Sequence, residues 1–155
     1  MNPSQIENWE KSLPQVPKPV GSYRPAVLVG NLLFTSGNLP LIEGRLSRTG
    51  KVGQDLTTAE GYEEAKTAVR NALSAVRGEI GTLNRVVRIA QLTGYVASAP
   101  GFGEQAKVMD GASELLIEVF KERGRPSRVS VGVSELPLNA PVEVALVVEV
   151  EAAKI

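Results

Sequence analysis

The spacing of apolar residues changes several times along the chain, and each change marks an element. In "TTAEGYEEAKTAVRNALSAVRGEIG", apolar positions return every three or four residues. Tyr62, Ala65, Val69, Ala72, Leu73, Val76 and Ile80 fall on one stripe, which predicts an amphipathic helix. Thr57 and Glu60 stand at the spacing of a capping box, in which each side chain takes a free backbone N–H of the first turn. Gly81 supplies a left-handed stop. A second helix over "GEQAKVMDGASELLIEVFKERG" puts Met109, Ala112, Leu116, Val119 and Phe120 on one face, with Gly124 as its expected stop.

Elsewhere the pattern is that of strands. "AVLVGNLLFTSG" holds two apolar runs around Gly30-Asn31, a two-residue hairpin signal. "RVVRIAQLTGYVAS" is enriched in β-branched residues. Two more strands close the chain in "SRVSVGVSELPLNAPVEVALVVEVEA". Residues 1–20 are proline-rich and read as an extended arm with a short helix at Gln5–Leu13, and residues 40–55 as a loop with one short strand. The order ββ(β)αβαββ suggests an α+β or α/β domain over residues 21–155, with two helices on one face of the sheet; α+β is the expectation.

The closing strands carry charges among their valines. Side chains alternate across a strand. Val129, Val131 and Val133 therefore share one face, and Arg128, Ser130, Gly132 and Ser134 the other. Val142, Val144, Leu146, Val148 and Val150 share one face of the last strand, and Glu143, Ala145, Val147, Glu149 and Glu151 the other. If the all-apolar faces lie under the helices, Arg128 and Glu143 both point to the opposite side. Two helices cover only one face of such a sheet, so the other is expected to be buried against another subunit. A guanidinium in a partly dry crevice there can hold a carboxylate through two parallel hydrogen bonds. A solvated pair near strand ends is the plain alternative. In a simple hairpin Arg128 would face the far end of the last strand. A shared site therefore needs strands that are not direct neighbours, or a second subunit.

Composition narrows the chemistry. The 155 residues are 43% hydrophobic and 22% charged, with zero formal net charge. This argues against a phosphate-backbone partner. There is no cysteine and no histidine. That excludes disulfides, thiolate nucleophiles, histidine-dependent triads and Cys/His metal sites. No apolar stretch reaches the roughly 18 residues of a membrane span. The polar, acid-containing N-terminus is unlike a signal peptide, so a cytoplasmic location is the default.

"SYRPAVLVGNLLFTSGNLP" near the start and "GRPSRVSVGVSELPLNAPVEV" near the end together resemble the Rid family of reactive intermediate deaminases, the YjgF family, in its longer branch. The resemblance runs from about Gly21 to Ala152. It implies a chorismate-mutase-like fold, a homotrimer with pockets at its subunit seams, and no cofactor. It also implies residue roles. Arg128 binds the substrate carboxylate, Glu143 positions a water, and Tyr23, Ser36 and Gly37 line the pocket with Ser130. The chain departs from the family pattern at Asn38 in place of glutamine, at Ala145 in place of a second carboxylate, and at Ser130 where relatives often carry cysteine. The pocket asparagine of the second helix corresponds to Asp110 or to Ser113. The implied reaction is hydrolysis of enamine/imine intermediates such as 2-aminoacrylate to 2-keto acids and ammonia. The alternative is a non-catalytic binder of small carboxylates such as 2-keto acids. Endoribonuclease activity, a label attached to the family, finds little support in neutral charge, absent histidine and 5% aromatic content.

Overall fold

The computed structural model describes residues 1–16, 18–19 and 21–152. Pro17 and Val20 of the expected arm, and residues 153–155 of the expected domain, lie outside the described residues. In chain order the elements are α1 (Pro3–Glu10), β1 (Ala26–Val29), β2 (Leu32–Thr35), β3 (Leu41–Ile42), β4 (Arg45–Leu46), α2 (Thr58–Ile80), β5 (Val86–Ala97), α3 (Gln105–Phe120), β6 (Ser127–Val133) and β7 (Val142–Val150). Five strands form one sheet in the order β1-β2-β7-β5-β6, and β3-β4 form a separate hairpin. The β5–β6 pair is parallel and the other pairs are antiparallel, so the main sheet is mixed.

The local signals explain most of these boundaries. Gly30 takes φ 62° in the two-residue turn between β1 and β2, the backbone such hairpins favour. Thr57 and Glu60 form the capping box: Thr57 N–H donates to Glu60 Oε2 at 2.8 Å, and Glu60 N–H donates to Thr57 Oγ1 at 3.1 Å. α2 ends at Gly81 with φ 85°. α2 and α3 pack on one another and on the same side of the sheet. Val69, Leu73 and Leu116 meet Leu33, Leu92 and Leu146 there, all essentially without solvent contact.

Besides the two strands β3 and β4 where the sequence predicts one in residues 40–55, three expectations change. The short helix expected at Gln5–Leu13 forms over Pro3–Glu10, and it is docked on the domain rather than part of an extended arm. Asn2 and Gln5 cap α1 reciprocally at 2.9 Å, and Ile6 and Leu13 join the main core. The Glu10 carboxylate accepts from Leu83 N–H at 2.7 Å and from Thr82 Oγ1 at 3.0 Å. Trp9 packs at the edge of its own chain's core, with the Arg70 guanidinium 5.3 Å from its ring centre. Second, α3 stops at Phe120, where Lys121 adopts φ 57°; Gly124 lies beyond, in a short 3₁₀ turn.

The third change concerns the site. In β6 the valine face is not the covered one. Parallel pairing sets Arg128 beside Leu92 and Ser130 beside Gly94. Leu92 is fully buried beneath the helices, so Arg128 and Ser130 share the helix-covered side. Val129 and Val131 point to the open face and remain 42% and 41% exposed. In β7 the expectation holds: Val142, Val144, Leu146, Val148 and Val150 are buried, and Glu143 lies on the open face beside Tyr95. Arg128 and Glu143 are therefore on opposite faces of the sheet.

Candidate functional site

Glu143 stands where the chain leaving β2 runs along β7. Asn38 and Val144 exchange backbone hydrogen bonds of 2.7 and 3.0 Å. This pairing lays Gly37 against the Glu143 side chain. A Cβ built at Gly37 would lie 2.8 Å from Glu143 Cδ, so only glycine leaves the carboxylate its place. Among the described residues no donor reaches that carboxylate. Burial without a compensating cation raises its pKa above the ordinary carboxylate value.

Ser36 fixes the preceding segment to this region. Its N–H donates to Pro25 O at 2.9 Å and its hydroxyl to Arg24 O at 2.6 Å. Tyr23, one residue before Arg24, is 51% exposed. Gly37 thus meets Glu143 beside β7, while the Ser36 hydroxyl is turned to Arg24 and Tyr23 precedes β1.

Arg128 belongs to a different neighbourhood. It lies on β6, at the opposite edge of the sheet from β1. Its Nη1 donates to Asp110 Oδ1 at 2.8 Å and to Ser113 Oγ at 3.0 Å, both on α3. Both residues considered for the helix asparagine therefore touch the arginine. Ser130 is on the same side, and its Oγ is buried with no hydrogen-bond partner among the described residues. By strand register Arg128 is level with Leu92 and Glu143 with Tyr95. That separates them by about 10 Å along the strands and about 10 Å across them, apart from the change of face.

Two surface clefts, of about 380 and 530 Å³, are lined around Arg88, Arg123 and Arg125 and around Thr58, Tyr62 and Glu104; neither includes Arg128 or Glu143. Among the described residues no group of three or more acidic side chains is arranged to hold a metal, and no helix is long and apolar enough to cross a membrane. Tyr95 was not singled out from the sequence. Only the β5–β7 register brings it beside Glu143.

A family model described as "YjgF/chorismate mutase-like, putative endoribonuclease" matches residues 4–150. The chain belongs to the YjgF family. Protein TCP17 of Trypanosoma cruzi is 39% identical over 88% of this chain and 86% of its own length. A 2-iminobutanoate/2-iminopropanoate deaminase of Dermatophagoides farinae is 29% identical over 90% of this chain and 94% of its own. The crystal structure of a "putative endoribonuclease" from Shewanella oneidensis superposes with a TM-score of 0.89 at 36% identity, covering 95% of this chain and 97% of the other. The mixed sheet with helices on one side is thus the YjgF-type fold, as the sequence resemblance implies. In this YjgF chain Gly37 and Glu143 meet within one copy, while Arg128 and Ser130 stand apart from them.

Proposed function

We propose that this protein hydrolyses reactive 2-imino acids, formed from enamines such as 2-aminoacrylate, to 2-keto acids and ammonia. The observation that carries the reading is Glu143. A partly buried carboxylate whose pKa burial raises above the ordinary value, with no cation beside it among the described residues, is suited to take a proton from water and return it. Water adds to the carbon of the protonated imine while Glu143 accepts one of its protons. Glu143 returns that proton to the carbinolamine nitrogen, which leaves with the hydroxyl proton as ammonium while the carbonyl forms. Imines hydrolyse readily in water, so one oriented acid–base group, worth roughly 10²–10⁴-fold, is enough without histidine, cysteine or metal. The similarity to a relative named as an imine deaminase supports the same class.

Arg128 holds the substrate carboxylate in this reading. Because Arg128 and Glu143 occupy opposite faces and separate regions of one chain, a working site joins the β6 edge of one copy to the β1–β2 side of another. A closed homotrimer satisfies that requirement three times over. The exposed apolar positions Val27, Phe34, Val129 and Val131 on the open sheet face favour such an association.

The test mixes the protein with freshly generated 2-aminoacrylate and follows pyruvate. Acceleration over buffer that is lost in Arg128→Ala and Glu143→Gln is expected. Absence of acceleration would leave the second reading, a non-catalytic binder of 2-keto acids and similar carboxylates. Ala145, in place of a second carboxylate, favours that alternative.

A further inference from the structure

We propose that the cleft beside the first residues of β5 and β6 binds a small phosphate monoester in its dianionic form. This site is separate from Arg128 and Glu143, and it does not depend on the imine reading.

The cleft exists because β6 leaves part of β5 unpaired. The two strands pair only from Gln91 onward, where Gln91 stands beside Ser127. β5 begins at Val86, so its first residues have no strand on that side. The segment that follows α3 passes there instead, held by two side chains. Arg123 Nη1 donates to Val86 O at 2.7 Å, and Ser127 Oγ donates to Ala90 O at 2.8 Å. Beside these anchors lies the space of about 380 Å³, lined by Arg88, Arg123 and Arg125 with Glu122 and Ser127. Ser127 and Arg128 are consecutive in β6 and face opposite sides, so Arg128 is not part of this lining.

Three guanidinium groups and one carboxylate line the cleft, in a chain whose formal net charge is zero. The carboxylates that touch these arginines do so weakly. Glu122 meets Arg125 at 3.1 Å with its side chain 86% exposed, and Glu149 reaches Arg88 at 3.8 Å. Solvated pairs of this kind contribute little and yield to a better anion. Arg123 differs. Its hydrogen bond goes to a carbonyl, which orients the guanidinium without neutralising it, and no carboxylate pairs with it among the described residues. A fixed, uncompensated cation in a cleft with two weakly paired ones is an anion receptor.

The arrangement favours phosphate over carboxylate. A carboxylate fills one guanidinium fork and brings one charge. A phosphate monoester offers three terminal oxygens in different directions and carries nearly two negative charges at neutral pH. That suits arginines approaching from β5 and from the segment after α3. The volume lies at the low end of the range for small-molecule sites, with room for the phosphate and a small organic group.

The experiment titrates the full-length protein calorimetrically at about pH 7.5 and constant ionic strength. Methyl phosphate is compared with methyl sulfate, which has the same shape and a single negative charge. Methyl phosphate is expected to bind about tenfold more tightly, the scale of one charge-assisted hydrogen bond. Arg123→Gln, which keeps an N–H for Val86 O, and Arg125→Gln should each weaken methyl phosphate by about tenfold, with unchanged circular dichroism. Arg128→Gln should leave its binding unaltered. No binding of methyl phosphate, equal affinity for both probes, or unchanged affinity in both Arg123→Gln and Arg125→Gln would overturn the proposal. Loss of binding in Arg128→Gln would place the anion elsewhere and overturn it as well. Tighter binding of a short oligoribonucleotide, or sedimentation with vesicles of phosphatidic acid and phosphatidylcholine, would overturn the small-ligand assignment.

Discussion

The carboxylate of Glu143 fills the space that a side chain at Gly37 would need. A Cβ built there lies 2.8 Å from Glu143 Cδ and closer still to Oε1. Gly37 thus makes room for the proposed acid–base group without carrying any chemistry of its own. Gly37→Ala should push the Glu143 side chain aside while leaving the strand pairing at Asn38–Val144 in place. Imine hydrolysis is expected to fall about tenfold or more, as with a misplaced catalytic group, with a nearly unchanged far-ultraviolet circular dichroism spectrum. Full activity in Gly37→Ala would show that the close approach has no catalytic meaning.

Glu143 also gives the protein a pH signature. Its folded-state pKa is raised by burial, above the ordinary value of 4.5. Between the unfolded and folded values the native chain binds more protons than the unfolded one, so stability falls as pH rises through that window. At neutral pH Glu143→Gln is therefore expected to be more stable than the wild type. The difference should shrink as pH falls toward 4.5. Urea denaturation midpoints of both proteins from pH 4 to 7.5, at one protein concentration, measure it. In the wild type, loss of hydrolysis on the acid side should report an apparent pKa above the normal carboxylate range.

Arg128 should not tolerate lysine. Lysine lacks the planar fork and cannot hold α3 with one nitrogen while presenting two parallel donors elsewhere. Arg128→Lys is expected to weaken carboxylate binding roughly 10- to 100-fold, the scale of lost charge-assisted bonds. Calorimetry with pyruvate reads the effect directly.

The open sheet face makes a separate prediction. Val129 and Val131 leave 42% and 41% of their surface exposed, side by side on β6. Val129→Glu with Val131→Lys should shift the protein to a smaller species in size-exclusion chromatography with light scattering, and should remove hydrolysis. A wild type that runs as a monomer, yet is active, would contradict the two-copy site.

The N-terminal helix is expected to behave as part of the domain. Ile6 is 1% exposed and sits in the same core as the sheet. Ile6→Ala should cost about 2–4 kcal/mol, the range for a large-to-small change in a packed interior. A free arm would show no such loss in chemical denaturation.

Much of this architecture is legible from local pattern. The stripe from Ala65 to Ile80 and the Thr57–Glu60 capping box state where α2 lies, because both depend on neighbours within one helical turn. The Gly30-Asn31 turn and the alternation of β7 are equally local. The helix in the N-terminal segment is less visible, since its stability comes from Ile6 and Leu13 reaching a distant core and from Glu10 meeting Leu83.

The sequence by itself determined that β6 and β7 each have two unlike faces, and that Arg128 and Glu143 stand among small and apolar neighbours. It also determined that catalysis, if present, proceeds without histidine or cysteine. Only the tertiary structure decided which face of β6 is covered. Alternation has a period of two and is blind to direction; the sign comes from the register of a strand with its neighbour. Parallel pairing with β5 placed Arg128 beside buried Leu92 and turned the valines outward. The same register set Arg128 against Asp110 and Ser113 on α3 and left Glu143 on the other side of the sheet.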